Sequence, residues 1–558
     1  MKIFKNRVSR LDTHFYNFID ISLIIFTILL VLIFILCPIL AVIKESFFPE
    51  GFLTFDLYKN LFVNNKKLLF NSIFVSLLST IISTVFAIFI SIYINFSSKK
   101  IKSVLMLILI LTMISPPFVS SLAYIQLFGK RGIITYHILK LSLNPYGWQG
   151  IVSMQTLSFT SLNTLLLISI IRGIDKSLIQ ASLDLGCKPS YTIRKVLVPL
   201  MKPGIIVCAL LSCVRSLSDF GTPMIIGGSF NVLAAEIYLK IIAYSELPEA
   251  ASMCILILIP CLFLFICYRH YMKNYNALSK INSKTVNTNI DFPLSGITRI
   301  VFKSITLIFF IIMIVQYLTI FISAFSKYSY GHFKFTFEYL SYLKFYSLKS
   351  FIRSIIYSFI AGIVGSFLGV LISFYTDRRK IKGMKILDFI ATLPYIIPGT
   401  FFGIGYILAF NNYPLELTGT ALIVVLNCIF KQLPMTTKIS SAVLSQVNLQ
   451  IENSARDLGA SNIYVLKDII IPNVKPAFLA GFINNFTSTM TTIGSIIFLI
   501  YPGEKVATLE LFDAINTGNY GLSAMIALFI IIITLTMNLL FSKFILGGNL
   551  VKNVSSIE

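Results

Sequence analysis

Long apolar runs separated by short polar segments fill the chain from end to end. Runs at residues 21–43, 69–95, 103–128, 150–171, 204–227 and 250–268 are long enough to cross the hydrocarbon core as helices, which takes roughly 20 residues each. Residues 269–299 interrupt the series with Asn, Ser, Thr and Lys. Six further runs follow, at 301–325, 351–375, 384–410, 417–438, 476–500 and 520–545. The pattern predicts an all-α polytopic membrane protein of twelve spans, with a first half over 1–268, a linker over 269–300 and a second half over 301–558.

Composition supports that pattern. Of 558 residues 56% are hydrophobic and 12% charged, against about 25% charged in soluble domains. The formal net charge of +23 would suit a nucleic-acid partner, but topology explains it better, because cytoplasmic loops of membrane proteins concentrate Lys and Arg. With the N-terminus inside, about two thirds of the 46 Lys and Arg fall on the cytoplasmic side, including Lys99, Lys100, Lys102 and Arg378, Arg379, Lys380, Lys382. Both termini are then cytoplasmic, the lipid bilayer is the surrounding medium and no nucleic acid is expected. One outer stretch, Lys327 to Arg353, is basic against this rule. The first run is too long for a signal peptide and should remain attached as a span. The eight cysteines show no metal-ligand spacing and read as reduced packing residues.

The chain repeats itself. Ile90 to Ile94 (ISIYI) matches Ile372 to Thr376 (ISFYT), Pro116 and Tyr124 match Pro398 and Tyr406, and Gly186, Pro199 and Pro203 match Gly459, Pro472 and Pro476. An even number of spans separates equivalent points, so the two six-helix repeats are parallel. Between the fourth and fifth spans of each half lies a polar loop, 172–203 and 439–475, too long for a plain connector. Each reads as helix, break, helix. Leu185-Gly186 and Leu458-Gly459 end a short helix where a residue with free φ is wanted, and an amphipathic helix resumes until Pro199 or Pro472 stops it. An interfacial helix would explain one such loop, but not two with the same Gly-Pro-Pro spacing.

These loops resemble the EAA motif of ABC importer permeases, in which Glu-Ala-Ala is followed by a Gly and two prolines. Gln180-Ala181-Ser182 and Asn453-Ser454-Ala455 replace Glu-Ala-Ala here, and Glu452 stands one residue early. The resemblance implies the type I importer permease architecture in a bacterial inner membrane. It also implies a coupling role for Gln180, Ala181, Asp184, Leu185, Gly186 and Pro199, and for Asn453, Ala455, Asp457, Leu458, Gly459 and Pro472, against a dimer of cytoplasmic ATPase subunits. No P-loop occurs in the sequence, so ATP and Mg belong to that partner, this chain binds no cofactor, and it is not itself an enzyme. Ser218 to Gly228, Phe230 to Ile241, Leu393 to Phe410 and Thr489 to Ile500 are similar to the fused, twelve-span permeases of the ferric-iron importer family. That likeness implies ferric iron received from an external solute-binding protein; the family's relatives carry polyamines, thiamine or phosphonates.

Charge inside a bilayer is costly and marks packing or function. Arg215 and Asp219, at i and i+4 in the fifth span, are expected on one helical face as a pair, either architectural or lining the translocation path. Their repeat equivalents are Ser488 and Thr492, which would make the path asymmetric. Asp219 alone is a poor ferric site, since hard cations want several oxygens; no metal site is expected. Gly365 with Gly369, and Gly399 with Gly403, give GxxxG spacings that read as close packing. An ion-coupled secondary transporter is the rival class; it wants gradient-coupling acids within spans, and Asp219 is nearly the only central candidate.

Overall fold

The computed structural model describes residues 10–545 except 50, 131, 141–143, 282–295, 330–331 and 502. The expected runs become helices: α1 (span Phe18–Phe47), α2 (Lys66–Asn95), α3 (Lys99–Ile114), α4 (Pro117–Phe128), α5 (Trp148–Arg172), α6 (Lys176–Asp184), α7 (Pro189–Ser218), α8 (Gly221–Ile226), α9 (Leu233–Ile242) and α10 (Leu247–Ile281). The second series is α11 (Gly296–Ala324), α12 (Glu338–Arg378), α13 (Met384–Tyr395), α14 (Gly399–Phe410), α15 (Ala421–Leu444), α16 (Leu449–Asp457), α17 (462–473), α18 (Lys475–Thr491), α19 (Ala507–Asn516) and α20 (Tyr520–Ile545). Of the linker, residues 269–281 continue α10 and 282–295 lie outside the described residues. Both chain ends, whose cytoplasmic placement the charge pattern predicts, also lie outside them.

Among the described residues nine helices are long and apolar enough to cross a membrane, or up to eleven when each of two bent pairs is counted as one span. The third and ninth runs are therefore not straight spans: α3–α4 bends by 101° and α13–α14 by 114°. Proline accounts for the first break: Ser115 precedes Pro116 and is extended (φ −75°, ψ 144°), because a residue before proline is driven out of the helical region. At the second bend Pro398 is itself extended (φ −51°, ψ 145°). The freed carbonyls of Pro394 and Ile397 need a donor in a medium without water, and Lys431 of α15 supplies it, its ammonium lying 2.8 and 2.5 Å from the two oxygens.

The fifth and eleventh runs stop short of their expected ends. α7 closes at Ser218, with Asp219 extended as its C-cap (φ −81°, ψ 108°), and α18 closes after 17 residues at Thr491, with Thr492 extended (φ −76°, ψ 147°). Of the polar-loop prolines, Pro199 does not stop its helix, whereas the second helix ends one residue past Pro472. α7 runs through Pro199 and Pro203, while α17 runs through Pro472 and breaks at Val474, ahead of Pro476. Wide π turns at Ile193–Leu197 and Val465–Ile470 precede the first proline of each pair. Such turns shift the hydrogen-bond ladder by one residue and so relieve the conflict between a proline ring and the carbonyl four residues back.

The only strands among the described residues form a hairpin, Ser326–Ser329 with His332–Phe335. It lies at the basic stretch Lys327 to Arg353, where Lys327 pairs with Glu338 at 2.8 Å and Arg353 with Glu504 at 2.7 Å. Two of that stretch's excess cations are thus locally matched.

The chain divides into two compact units that do not follow the sequence repeats. Among the described residues one holds 10–44, 351–505 and 536–545; the other holds 45–350 and 506–535. In the first unit α1 packs on helices of the second repeat: the Phe34 ring lies 5.1 Å from Phe430 and 5.4 Å from Phe410, and the Tyr406 hydroxyl donates to the Phe34 carbonyl at 2.8 Å. Glycines permit close approach there, since a Cβ at Gly365 would stand 2.3 Å from Asn485 Nδ2 and one at Gly403 2.6 Å from the Ser495 carbonyl. In the second unit Phe309, Phe310 and Met313 of α11 pack with Ile90, Ile94, Leu109 and Ile168. Ser72, Ser76, Ser79 and Ser83 form a buried stripe along α2. Lipid tails are as apolar as leucine, so small residues and hydroxyls, not apolar burial alone, hold such helices together.

Candidate coupling loops and intramembrane polar network

In the first polar loop Asp175 caps α6, its carboxylate accepting from Ser177 N at 2.9 Å. The helix ends through Leu185 into Gly186, whose φ is +79°. Gly186 N donates to the Leu183 carbonyl at 2.8 Å and Cys187 N to that of Ser182 at 3.2 Å. This paired closure is the Schellman motif, which needs a left-handed residue after the cap. The second loop repeats it bond for bond. Asn448 caps α16 by accepting from Gln450 N at 2.9 Å, Gly459 has φ +88°, Gly459 N donates to the Arg456 carbonyl at 2.9 Å and Ala460 N to that of Ala455 at 3.0 Å.

Each short helix has an inward and an outward face. In α6, Ile179 and Ser182 are buried, the Ser182 and Thr192 hydroxyls meeting at 2.9 Å; Gln180, Ala181, Asp184 and Gly186 are exposed, with Gln180 Nε2 donating to Asp184 Oδ1 at 2.8 Å. In α16, Asn453, Asp457 and Gly459 are exposed and Ala455 half-buried. Leu185 and Leu458 stand at the two tips with 84% and 90% of their surfaces open. Pro199 and Pro472 are exposed on the helices that follow. Glu452, the acid one residue early, faces inward and is fully buried.

Within the membrane the structure separates the expected pair. Asp219 is beyond the end of α7, so it does not share a helical face with Arg215, which is exposed. The Asp219 carboxylate instead accepts from Gln155 Nε2 of α5 at 3.0 Å and from Thr222 N at 3.2 Å. Gln155 Oε1 accepts from the Ser216 hydroxyl at 2.6 Å, and Ser79 of α2 reaches Ser216 at 3.3 Å. The chain of polar groups thus ties α2, α5 and α7 to the break after α7. Asp219 also starts the turn that places Phe220 against Tyr238 (5.8 Å) and Phe512 (6.3 Å), with Phe118 5.5 Å from Phe512. Gly221 lies beneath Phe118, whose ring would be 2.3 Å from a Cβ there. Ser488 and Thr492 are half-buried, Thr492 being the C-cap of α18, so the repeat equivalents of Arg215 and Asp219 occupy the matching helix end.

Sequence reasoning missed Gln155, Lys431 and the buried role of Glu452. Gln155 and Lys431 were legible as polar residues within apolar runs, but only the breaks they serve explain them. Among the described residues no group of three or more His, Cys, Asp or Glu is placed to hold a metal ion.

With this geometry in view, comparison with known families is decisive. The model of the binding-protein-dependent transport system inner membrane component matches residues 83–273 and again 362–546. The chain belongs to that family. Each match contains one polar loop and one bent helix pair, so the two repeats are two copies of the family's domain. The chain is 28% identical over 458 residues to the ferric transport system permease protein FbpB of Actinobacillus pleuropneumoniae, covering 78% of this chain and 65% of that protein. To the putative ferric transport system permease protein FbpB 1 of Haemophilus influenzae it is 30% identical over 421 residues, covering 71% and 64%. The chain thus spans a little under two thirds of the length of these relatives. A shorter likeness, 26% over 184 residues (33% of this chain, 69% of the relative), is to a putative 2-aminoethylphosphonate transport system permease protein of Salmonella paratyphi A.

Proposed function

We propose that this chain is the membrane-spanning permease of an ATP-driven importer, passing ferric iron from an external solute-binding protein across the bacterial inner membrane. The observation that carries the reading is the duplicated loop: two Schellman-ended helices, each with an open leucine at its tip. Two equivalent docking points suit two ATPase subunits, one per loop, with Gln180, Ala181, Asp184 and Leu185 on one contact face and Asn453, Ala455, Asp457 and Leu458 on the other. Both loops and both termini are cytoplasmic in this reading, as the Lys and Arg distribution favours. Pull from ATPase closure would pass along α7 and α18 to the helix ends at Asp219 and Thr492. There the Asp219 network, and Ser488 with Thr492, would line the path, and Arg215 would stand outside the network.

Iron as cargo is supported by the relatives named as ferric transport permeases. The phosphonate relative supports an alternative cargo on the same machine. The test is uptake of radiolabelled ferric iron and of labelled 2-aminoethylphosphonate in cells with and without the gene, together with ATPase assays on the purified chain. Loss of iron uptake on deletion, and hydrolysis only after ATPase subunits are added, support the reading. Retained iron uptake with lost phosphonate uptake selects the alternative cargo, and hydrolysis by the chain alone contradicts the subunit assignment.

A further inference from the structure

The two coupling loops are fastened to their own membrane helices by different chemistry. In α16, Glu452 points away from the exposed face, its side chain 1% open. Arg378, at the end of α12, holds it with Nε 2.7 Å and Nη2 2.6 Å from Oε1. The same Nη2 donates to the Val447 carbonyl at 2.8 Å, at the start of the loop. Arg456 adds a weaker approach at 4.0 Å to Oε2. The next residue, Arg379, grips Asp20 of α1 through Nη1 at 2.6 and 2.9 Å, and the Tyr375 hydroxyl reaches that carboxylate at 3.4 Å. Adjacent arginines at one helix end thus join the short helix of the second loop to α12 and α1, all within one compact unit.

The first repeat has no charge at the corresponding places. Ile179 stands where the second repeat has Glu452, and Phe96 where it has Arg378. Ile179 is a buried member of an apolar cluster that also contains Phe302 of α11, with Phe96 packed against it. Burying a charge is costly unless it is paired, and losing one partner strands the other; an apolar contact carries no such penalty. The charged joint also holds the second loop at two points, since one guanidinium binds both Glu452 Oε1 and the Val447 carbonyl.

We propose that Arg378 and Glu452 are positioning residues for energy coupling, forming a rigid ionic joint through which the second loop, unlike the first, moves α12 and α1 as one body. This rests on the coupling-loop reading proposed above. The experiment uses the full chain assembled with its ATPase subunits in proteoliposomes, reading transported iron per ATP hydrolysed alongside the amount of ATPase subunit co-purified. Glu452→Ile and Arg378→Phe singly should lower transport per ATP at least tenfold while the ATPase subunit still co-purifies. The double variant, which writes the first repeat's Ile and Phe into the second, should regain the thermal stability that the singles lose, since neither charge is then stranded, yet stay at least tenfold below the parent in transport per ATP, since the ionic joint is gone. Ile179→Val, an apolar trim of the first joint, should change the ratio less than twofold. Unchanged coupling in both single variants, or a double variant that couples as well as the parent, overturns the proposal. Gly459→Val separates the two readings: if it uncouples while the Glu452 and Arg378 variants do not, only the ionic joint is wrong; if it too is silent, the coupling-loop reading fails.

Discussion

Gly186 and Gly459 are the residues whose conformation the two loops depend on most, and their surroundings allow a clean test. A Cβ at either would meet nothing within 4 Å, so substitution there is resisted only by the backbone, at φ +79° and +88°. Valine should cost about 1–2 kcal/mol of local strain, whereas asparagine, which tolerates this region, should cost less. The expected outcome is a Val-worse-than-Asn order in transport per ATP, with normal membrane insertion for both. A second residue test follows from the separated pair: Arg215→Gln should leave thermal stability within about 0.5 kcal/mol, as for an exposed side chain outside the Asp219 network. Asp219→Ala should lower it by about 1–3 kcal/mol, because Gln155 and the Thr222 amide lose their acceptor. Unfolding of the detergent-purified variants measures both, and equal effects would restore the pairing read from the i,i+4 spacing. That spacing misled because it presumes a helix through residue 219, while the Asp-Phe-Gly-Thr-Pro sequence ends the helix by accepting its own downstream amide. Lys431→Met should also destabilise, by about 1–3 kcal/mol for each orphaned carbonyl at the α13–α14 bend.

At the scale of elements, the hydrophobic pattern located helices in all twelve runs, of which nine, or up to eleven with the bent pairs, are long and apolar enough to cross a membrane among the described residues, the eleventh run falling short; it could not say which were straight. Run length is blind to a bend, and the prolines at 116 and 398 were visible without their consequence, since proline alone permits either a kink or a break. What decides for a break in the second repeat is packing: Gly399 and Gly403 bring α14 against residues 494–495, where a Cβ at Gly403 would be 2.6 Å from a carbonyl oxygen. Backbone cannot yield there as a side chain could. Gly403→Leu should therefore destabilise by about 1–3 kcal/mol, seen as a lower melting temperature, while Gly383→Ala, in open space but at φ +90°, should cost only its backbone strain. Pro199 was misread in the opposite direction: it was expected to stop its helix, but the π turn before it, which has no signature in composition, lets the helix continue, whereas α17 ends at Asn473, one residue past Pro472. The result matters for the proposed coupling, because α7 becomes one rod from Pro189 to Ser218, joining the first polar loop to the Asp219 network without a joint between.

For the whole molecule, the repeat was legible because its markers are glycines and prolines, whose conformational demands survive sequence change; the N-caps Asp175 and Asn448 and both Schellman closures fall in register. The division into compact units was not legible, since which helix packs on which depends on side-chain fit such as Phe34 against Phe430, and no periodicity encodes a partner. Nor did the sequence tell that the joints beneath the two loops differ in chemistry, because Glu452 looked like a displaced motif residue until Arg378 was seen beside it. The central claim is that the two loops are paired cytoplasmic docking points for an ATPase dimer. Its most direct test is disulfide or bifunctional crosslinking from single cysteines at Asp184 and Asp457, both exposed, in a cysteine-free chain assembled with its ATPase subunits. The account predicts that each crosslinks to an ATPase subunit and is shielded from membrane-impermeant thiol reagents outside the cell. Labelling of either cysteine from outside, without crosslinking, would contradict it.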